Sequence, residues 1–514
     1  MTELSQDQQY AFDQFKQGKN LFITGPGGSG KTRLIKELVQ YASSMDYKFQ
    51  VCALTGCAAL LLNCNARTLH SWSGIKIAKG SKSDVVASVL KNKRIIKNWR
   101  KTTILIIDEV SMMSKKILEI IEEIARITRS SSCPFGGMQV IFTGDFYQLP
   151  PIETFGEPDS AAFGFEAPVW STLFRPENHI LLQTIFRQTD PLYREILNQI
   201  RVGKIDEDKI QILQNYVGRE FKSDEHAGCS LVKLFPIRSK VDLVNSTMFA
   251  KLKEKEYIFE CIKKTNCKLW IEKETAISQE ILEKCKEMTL QETEFEIQQL
   301  IQNTQCVQVL RLKKGAAVMC TVNLDMDQGI CNGSQGIVVD IIENTVLPEQ
   351  YYPVVRFANG QIRNMNIQYK QSDDFPAIAI GYIPLCLSWA MTIHKIQGAT
   401  LKMAEIDIGS SIFEYGQTYV ALSRIEALDG LYLSGFQPNK IKSNEKVNMF
   451  MRNIQQYKDS EKKVEIKMNS SNAMVNVVDM TVATAASSDM TFEEYKYNEP
   501  LKPTVKSTIK VIRF

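Results

Sequence analysis

Short apolar runs alternate with longer amphipathic stretches along the first part of the chain. The runs at residues 20–24, 51–55, 103–107 and 139–143 each lead into glycine, hydroxyl or acidic side chains. Continuous apolar runs of this length are typical of strands that are buried on both faces of a parallel sheet. The pattern therefore predicts an α/β domain over residues 1–180, with ligands at the carboxyl ends of its strands.

A different pattern begins at residue 310, where short segments of alternating polarity are separated by turn signals. Asn332-Gly333 and Asn359-Gly360 are dipeptides that favour tight turns between paired strands. This part of the chain therefore predicts a small β-barrel over residues 310–383.

The segments on either side of this barrel predict a second α/β domain, over residues 181–309 and 384–457. An apolar run that begins near residue 231 is expected to supply one of its strands. Residues 251–305 are rich in Glu, Lys and Gln. They predict a solvent-exposed helical insertion that carries no chemistry of its own.

The last part of the chain differs in composition from everything before it. Residues 459–490 contain no aromatic side chain and no compact apolar pattern, so a disordered tail is predicted over residues 458–514. Basic and apolar residues alternate over 504–514. This last stretch is either a peptide that adds a strand to a partner's sheet or a frayed end.

Composition is that of an ordinary globular protein of 514 residues, with 44% hydrophobic and 23% charged side chains. The net charge of +4 allows a basic cleft for a polyanion without demanding one. There is no apolar run of 18 residues and no signal peptide, so neither a membrane span nor secretion is expected. The twelve cysteines include no CxxC pair, which makes a zinc site improbable, and several lie in apolar runs, which predicts reduced thiols in an intracellular reducing compartment.

An eight-residue segment, 25–32, combines the glycines and the lysine of a phosphate-binding loop. It reads Gly-Pro-Gly-Gly-Ser-Gly-Lys-Thr and lies between an apolar run and a helical pattern that continues to Tyr41. Glycines let backbone N–H groups turn toward phosphate oxygens, and the following helix adds the positive end of its dipole. Lys31 would contact the β- and γ-phosphates, and Thr32 would hold Mg²⁺. The residues expected to bind a nucleoside triphosphate here are Gly25, Gly27, Gly28, Ser29, Gly30, Lys31 and Thr32.

Two carboxylates, Asp108 and Glu109, directly follow the third apolar run. Because ligands bind where parallel strands end, Asp108 is expected to hold Mg²⁺ through its water shell. Glu109 is expected to polarise the water that attacks the γ-phosphate. Gln148 follows the next apolar run and is placed to sense the γ-phosphate. These residues and the phosphate loop together predict a site that hydrolyses a nucleoside triphosphate.

Two arginines that follow later apolar segments, Arg187 and Arg424, are further candidates. Such an arginine is either an ordinary surface residue or a stabiliser of phosphate charge. If a second domain supplied it, hydrolysis would be coupled to closure of the two domains. The candidate catalytic residues are Lys31, Asp108, Glu109 and Gln148, with Arg187 and Arg424 added if they stabilise phosphate charge.

Small, hydroxyl and basic side chains follow predicted strands in both α/β domains and suit contacts to a sugar–phosphate backbone. Trp72 fits a buried core and a nucleic-acid surface equally well. The basic stretch 75–100 is either a solvated face or the wall of a nucleic-acid groove. Gln8 is either part of a solvated helix face or a reader of adenine through its amide. The candidates for nucleic-acid contacts are Thr55, Gly56, Thr68, His70, Ser71, Thr392, His394 and Lys395.

The chain resembles the superfamily-1 helicases of the B subgroup, and most closely the Pif-type (petite integration frequency) DNA helicases. The resemblance covers residues 4–457. Its most specific blocks are Gly-Asp-Phe-Tyr-Gln-Leu-Pro-Pro at 144–151, Phe-Arg-Gln at 186–188, Ile-His-Lys-Ile-Gln-Gly at 393–398 and Tyr-Val-Ala-Leu-Ser-Arg at 419–424.

The resemblance implies an α/β fold of two RecA-like P-loop NTPase domains, the first with a small wedge insertion near residues 70–100. It also implies that the predicted barrel at 310–383 is an SH3-like insertion in the second domain. Gln8 matches the adenine-reading glutamine of the family. Arg187 and Arg424 match its two arginine fingers, and the blocks around Thr55, Thr68 and His394 match its DNA-contacting segments.

In function, the resemblance implies an ATP- and Mg²⁺-dependent helicase that moves 5′→3′ on single-stranded DNA and unwinds duplex or structured DNA in replication, recombination or repair. The expected partners are single strands and their junctions with duplexes. A replication or repair protein could bind the tail, and the protein is expected to be monomeric. Two alternatives stay open: an ATP-gated nucleic-acid-binding subunit of a larger complex, and an RNA helicase.

Overall fold

The computed structural model describes most of the chain up to residue 460. Residues up to 455 form one compact unit, and 456–514 form a second unit. The predicted tail lies outside the described residues except for 458–460, which are helical. The described residues are 3–62, 64–76, 78–154, 156–221, 231–265, 288–304, 306–325, 328–343, 351–372, 375 and 377–460.

Six parallel strands form the first sheet in the order β3-β2-β4-β5-β1-β6, which confirms the predicted α/β fold. The strands are β1 (Leu21–Thr24), β2 (Phe49–Ala53), β3 (Arg67–Thr68), β4 (Ile104–Asp108), β5 (Gln139–Gly144) and β6 (His179–Leu181). The helices around them are α1 (Gln6–Lys16), α2 (Lys31–Ser44), α3 (Gly56–Leu62), α4 (Leu69–Ser73), α5 (Lys82–Leu90), α6 (Lys93–Lys101), α7 (Lys115–Arg129) and α8 (Val169–Leu173).

Helices cover both faces of this sheet because alternate strand residues point in opposite directions. Leu21 and Ile23 of β1 pack in one apolar cluster with Leu34 of α2. Phe22, between them, packs on the other face in a cluster that contains Ile120 of α7. This two-sided burial explains why the strands appear in the sequence as continuous apolar runs.

Trp72 of α4 lies in the core rather than on a nucleic-acid surface. It is 2% exposed, and its ring centroid lies 4.4 Å from that of Trp99 in α6. The Trp99 indole N–H donates to the carbonyl of Ser73, which ties α6 to the end of α4. The alternative that Trp72 contacts DNA is therefore wrong, because its large apolar side chain is used to pack this insertion.

The rest of the compact unit contains a second parallel sheet of four strands and three antiparallel sheets of five, three and two strands. Its helices are α9 (Pro191–Arg201), α10 (Glu207–Gln214), α11 (Arg238–Lys251), α12 (Leu290–Asn303) and α13 (Gln417–Leu422). Its strands are β7 (Val232–Phe235), β8 (Tyr257–Glu260), β9 (Ile262–Lys264), β10 (Val309–Leu312), β11 (Ala317–Cys320), β12 (Gln335–Glu343), β13 (Tyr351–Phe357), β14 (Ile362–Asn364), β15 (Gln368–Gln371), β16 (Ala379–Tyr382), β17 (Leu385–Leu387), β18 (Ala390–Thr392), β19 (Ala404–Ile408) and β20 (Leu431–Phe436).

The second parallel sheet has the order β18-β7-β19-β20. Strands β7, β18, β19 and β20 contribute to one apolar cluster, which also contains Tyr193 and Ile196 of α9 and Val420 of α13. Helix α13 is buried along its whole length, so its side chains are held firmly in place. The sheet therefore fixes two helices that reach toward the first domain.

The prediction that 251–305 is a helical insertion is wrong for the first part of this range, which forms strands β8 and β9. Strand β8 pairs with β10, and β9 pairs with β16. Side chains of β8 alternate between half-buried and exposed, and this two-residue period outweighs the charged composition. Among the described residues of the insertion, only α12 and Lys251, the last residue of α11, are helical, and 266–287 lie outside the described residues.

The small β-rich part is wider than the predicted 310–383. Strand β17, beyond residue 383, is an edge strand of the five-stranded sheet β14-β13-β12-β11-β17. Strands β8 and β9 come from before residue 310 and pair with strands inside the range. The β-rich part is thus assembled from two separate stretches of chain.

A helix that begins at residue 445 packs on the first domain, although the sequence placed 384–457 in the second. Phe450 stacks on Phe165 with ring centroids 4.3 Å apart. Val447 and Met451 join the same core cluster as Phe22. The helix therefore returns the chain to the first domain, because its apolar side chains complete that domain's aromatic core.

The nine cysteines among the described residues are all free thiols. Cys52, Cys320 and Cys386 are buried, as their apolar surroundings in the sequence predict. Within the same described part of the chain, no helix is long and apolar enough to cross a membrane.

Candidate nucleotide site and nucleic-acid interface

The candidate residues of the first domain gather at the carboxyl edge of its sheet. Strand registers place Thr24 beside Gly144, and Ala53 beside both Asp108 and Thr68. The phosphate loop, the acidic pair and the first DNA-contact candidates therefore leave the sheet at one edge. In open parallel sheets, this is the edge where ligands bind.

The phosphate loop needs its glycines because of both backbone conformation and space. Gly28 and Gly30 have φ angles of +85° and +80°, which favour glycine. A Cβ atom on Gly28 would lie 2.6 Å from Cβ of Arg187, and one on Gly30 would lie 2.5 Å from Nε2 of Gln8. Helix α2 begins directly after the loop at Lys31, so its positive end faces the loop.

Lys31 lies among acidic groups and is bonded to its own loop. Its Nζ donates to the carbonyls of Gly25 and Pro26, at 2.8 and 3.0 Å. Burial lowers the pKa of Lys31, while Asp145 and Glu109 act in the opposite direction. A desolvated ammonium group that donates only to neutral carbonyls would form a stronger hydrogen bond with a charged phosphate oxygen.

The acidic pair is desolvated as well. Asp108 is 5% exposed and accepts hydrogen bonds from the Thr143 hydroxyl and from the N–H of Glu109. Burial raises the pKa of Asp108. Burial, and next the Asp108 carboxylate, raise the pKa of Glu109 to about 7. A carboxylate whose pKa lies near neutrality is well suited to accept a proton.

The residues present fit a magnesium nucleotide. Asp108 and the exposed Thr32 side chain supply oxygen donors, which Mg²⁺ prefers. In the described part of the chain, no three His, Cys, Asp or Glu side chains group to hold a metal. Mg²⁺ is usually coordinated by only one or two protein ligands, because it keeps several water ligands and also binds the phosphates of the substrate. The Ser29 hydroxyl in the loop is buried without a hydrogen-bond partner, which leaves it available to a ligand.

The two candidate arginines converge on the phosphate loop. A Cβ atom on Gly27 would lie 3.4 Å from the Arg424 guanidinium, and Arg187 lies against Gly28. Arg187 donates to the carbonyl of Ser423 at 3.0 Å, and Arg424 donates to the hydroxyl of the same serine at 2.7 Å. Burial lowers the pKa of Arg424. Burial, and next the positive charge of Arg424, lower the pKa of Arg187 to about 9. The Arg424 guanidinium and the base of the Arg187 side chain thus lie beside the phosphate loop.

Gln148 and Glu109 are bridged by a residue that sequence reasoning missed. The side-chain amide of Gln397 donates to Oε2 of Glu109 at 3.1 Å and to Oε1 of Gln148 at 3.5 Å. Gln397 follows β18 in the second domain, whereas the other two belong to the first. Its position inside the block 393–398, which carries the family resemblance, was the available signal.

Tyr419 and the pair Asp145–Arg201 were also missed. The Tyr419 hydroxyl accepts a hydrogen bond from the N–H of Gly27 at 2.8 Å. Arg201, at the end of α9, donates to both carboxylate oxygens of Asp145 at 2.8 and 2.9 Å. Both contacts join the two domains across long sequence separations, so local pattern could not reveal them.

Gln8 is fully buried, so the alternative of a solvated helix face is wrong. Its Nε2 donates to the carbonyls of Ser29 and Gly30, at 3.3 and 3.4 Å, while its Oε1 accepts from the N–H of Ser5. Gln8 thus ties α1 to the phosphate loop. Its reading of adenine stays a prediction.

The DNA-contact candidates of the first domain form two half-buried turns at the sheet edge. Thr55, before Gly56 at the start of α3, accepts from the N–H of Ala58 at 3.2 Å. Thr68 caps α4 by accepting from the N–H of Ser71 at 3.3 Å. Burial lowers the pKa of His70, which favours the neutral imidazole.

The second set follows β18 in the second domain and faces α3. Thr392 accepts from the N–H of Lys395 at 3.3 Å, and burial lowers the pKa of His394. Lys395 and Leu61 of α3 line the same narrow cavity. A Cβ atom on Gly398 would lie 2.6 Å from Cδ1 of Leu61. The structure therefore brings the two sets onto adjoining surfaces of the two domains.

Comparisons with known proteins find similar sequences along most of the chain. The family model described as PIF1-like helicase matches residues 3–210, and that of the DNA helicase Pif1 2B domain matches 297–341. An ATP-dependent DNA helicase Pif1 of Bdellovibrio bacteriovorus is 32% identical over 457 residues, which cover 88% of this chain and 92% of that protein. The ATP-dependent DNA helicase PIF1 of Emericella nidulans is 31% identical over 492 residues, and the match spans 85% of this chain but only 61% of that protein.

Solved structures are similar along most of the chain. The crystal structure of Pif1 helicase from Candida albicans has a TM-score of 0.69 and 30% identity, with 88% of this chain and 100% of that chain covered. A Pif1 helicase from Bacteroides in complex with ADP-AlF3 and single-stranded DNA has a TM-score of 0.59 and 26% identity, with 89% and 98% covered.

Proposed function

Because the chain belongs to the PIF1-like helicase family, we propose that it is an ATP-dependent DNA helicase. The observation that carries this proposal is the position of Arg187 and Arg424 against the phosphate loop. Both arginines are linked to Ser423 of the second domain, whereas the loop belongs to the first. Hydrolysis therefore requires the two domains to be closed on each other.

In the proposed reaction, the loop amides and Lys31 bind the β- and γ-phosphates. Thr32 and Asp108 would hold Mg²⁺, which neutralises charge on the phosphate oxygens when bound. Glu109 orients the attacking water and accepts its proton, for which a pKa near neutrality is suited. Arg187 and Arg424 stabilise the charge that develops on the transferred phosphoryl group.

Gln397 offers a path from this reaction to the nucleic acid. It bonds Glu109 and Gln148 and belongs to the same turn as His394 and Lys395. A change at the γ-phosphate that moved Glu109 or Gln148 would therefore also move the turn that is proposed to bind DNA. Alternating grip on the two domains would move the protein along a single strand, and by family likeness this movement is 5′→3′.

The proposed substrate is single-stranded DNA and its junctions with duplex DNA, which a Pif1 relative from Bacteroides also binds. Such a substrate and the free thiols of the described residues favour a reducing compartment where DNA is copied or repaired. The alternatives of an RNA helicase and of a binding subunit without unwinding activity are distinguished by experiment.

A strand-displacement assay tests the proposal. Purified protein and ATP are mixed with duplexes that carry a 5′ tail, a 3′ tail or no tail, and with a 5′-tailed RNA duplex. The proposal predicts displacement of the 5′-tailed DNA duplex above all others. ATP hydrolysis that DNA stimulates without displacement would instead favour the binding subunit, and preference for the RNA duplex would favour the RNA helicase.

A further inference from the structure

The hydroxyl of Tyr419 lies where the phosphate loop presents an amide to its ligand. The N–H of Gly27 donates to this hydroxyl at 2.8 Å, and the tyrosine is only 3% exposed. Burial raises the pKa of Tyr419, so the group is a neutral hydroxyl at all ordinary pH values. An inward-facing loop amide of this kind binds a phosphate oxygen in nucleotide sites.

The other groups proposed to bind phosphate also have protein oxygens as partners. Lys31 donates to the carbonyls of Gly25 and Pro26. Arg187 and Arg424 donate to the carbonyl and the hydroxyl of Ser423. Each partner is neutral, so a charged phosphate oxygen would be the stronger acceptor for each donor. Among these partners, only Tyr419 belongs to the second domain and accepts a hydrogen bond from the loop backbone through its side chain.

We propose that the Tyr419 hydroxyl stands in for a phosphate oxygen in the nucleotide-free protein and that a bound triphosphate displaces it from Gly27. This inference rests on the proposed function. Tyr419 is thus a positioning residue that holds the two domains together when no nucleotide bridges them. It competes with ATP for one donor of the loop, because both occupy the same N–H.

Displacement of Tyr419 would be transmitted to the γ-phosphate-sensing side of the site. Helix α13 carries Tyr419, and its N-cap, Gly416, has a φ of +73°. A Cβ atom on Gly416 would lie 2.5 Å from the carbonyl oxygen of Gln148. The backbone at the start of α13 therefore contacts the backbone of the segment that carries Gln148. A shift of α13 would change the position of this segment relative to the helix.

Titration calorimetry of the full chain with Mg²⁺ and the non-hydrolysable triphosphate AMP-PNP tests the inference. Tyr419→Phe removes only the hydroxyl and leaves the Gly27 N–H without a partner in the free state. We expect the Kd to fall by about two- to tenfold relative to wild type, the range of one net hydrogen bond. The KM for ATP should fall with it. Tyr419→Leu, which keeps the position apolar, should shift the Kd in the same direction.

Tyr193→Phe is the matched control. Tyr193 is equally buried on α9, and its hydroxyl donates to the carbonyl of Leu422 at 2.7 Å rather than to the loop. Its variant should leave the Kd at the wild-type value. An unchanged or weaker affinity in both Tyr419 variants would overturn the inference. Absence of AMP-PNP binding by wild type, or full binding by Lys31→Ala, would overturn the nucleotide site itself and so separates the two failures.

Discussion

The side-chain amide of Gln397 donates a hydrogen bond to the carboxylate of Glu109 across 3.1 Å, which joins the second domain to the proposed water-activating residue of the first. Gln397 is 6% exposed, so the contact is shielded from water. The bond both orients the carboxylate and makes its position depend on the second domain.

Gln397→Ala should therefore reduce hydrolysis more than nucleotide binding. The expected loss in kcat is about tenfold to a hundredfold, which corresponds to one hydrogen bond to a charged group. The KM for ATP should change little, because Gln397 does not touch the phosphate loop. Steady-state ATPase kinetics with saturating single-stranded DNA measure both values, and a rise in KM at unchanged kcat would contradict the proposed role.

Lys31→Ala should reduce ATP hydrolysis to background, since the ammonium group is proposed to contact the β- and γ-phosphates. Lys36→Ala is the matched control, because Lys36 lies on the same helix with an exposed side chain. Phosphate release from ATP measures both variants. Wild-type turnover in Lys31→Ala would contradict the assignment of the loop.

Local chemistry explains why the phosphate loop and the acidic pair could be predicted from the sequence. The residues of each motif are consecutive in the sequence, so local pattern alone places the phosphate loop after β1 and Asp108 at the end of β4. Arg187 and Arg424 were predictable as candidates only through their motifs. Their meeting at the loop depends on how the second sheet packs, which no local pattern contains.

Contacts between distant segments account for most of what was missed. Gln397, Tyr419 and Arg201 reach partners more than 50 residues away along the chain. The error at 251–305 has a different cause. Charged side chains there suggested a solvated helix, whereas β8 exposes only every second residue and pairs through its backbone.

Arg201→Ala should destabilise the fold, because it leaves the carboxylate of Asp145 without its cation. Asp145 is 0% exposed and accepts two hydrogen bonds from Arg201. Removal of one partner of a buried ion pair typically costs about 3–5 kcal/mol. The free energy of unfolding, from urea titration followed by circular dichroism, measures the effect.

Arg452→Ala supplies the control for this measurement. The ion pair of Arg452 with Glu445 is exposed, so its loss should cost less than about 1 kcal/mol. Equal stability losses in the two arginine variants would show that the Asp145–Arg201 pair has no special part in joining the domains.

The most direct test of the coupling between domain closure and unwinding is to measure ATP turnover and strand displacement together for Arg424→Ala on a 5′-tailed DNA duplex. We expect AMP-PNP affinity to stay within a few-fold of wild type, while turnover falls by roughly 10³–10⁵-fold and displacement is lost. Displacement at the wild-type rate, or a loss of AMP-PNP binding as large as the loss of turnover, would contradict this coupling.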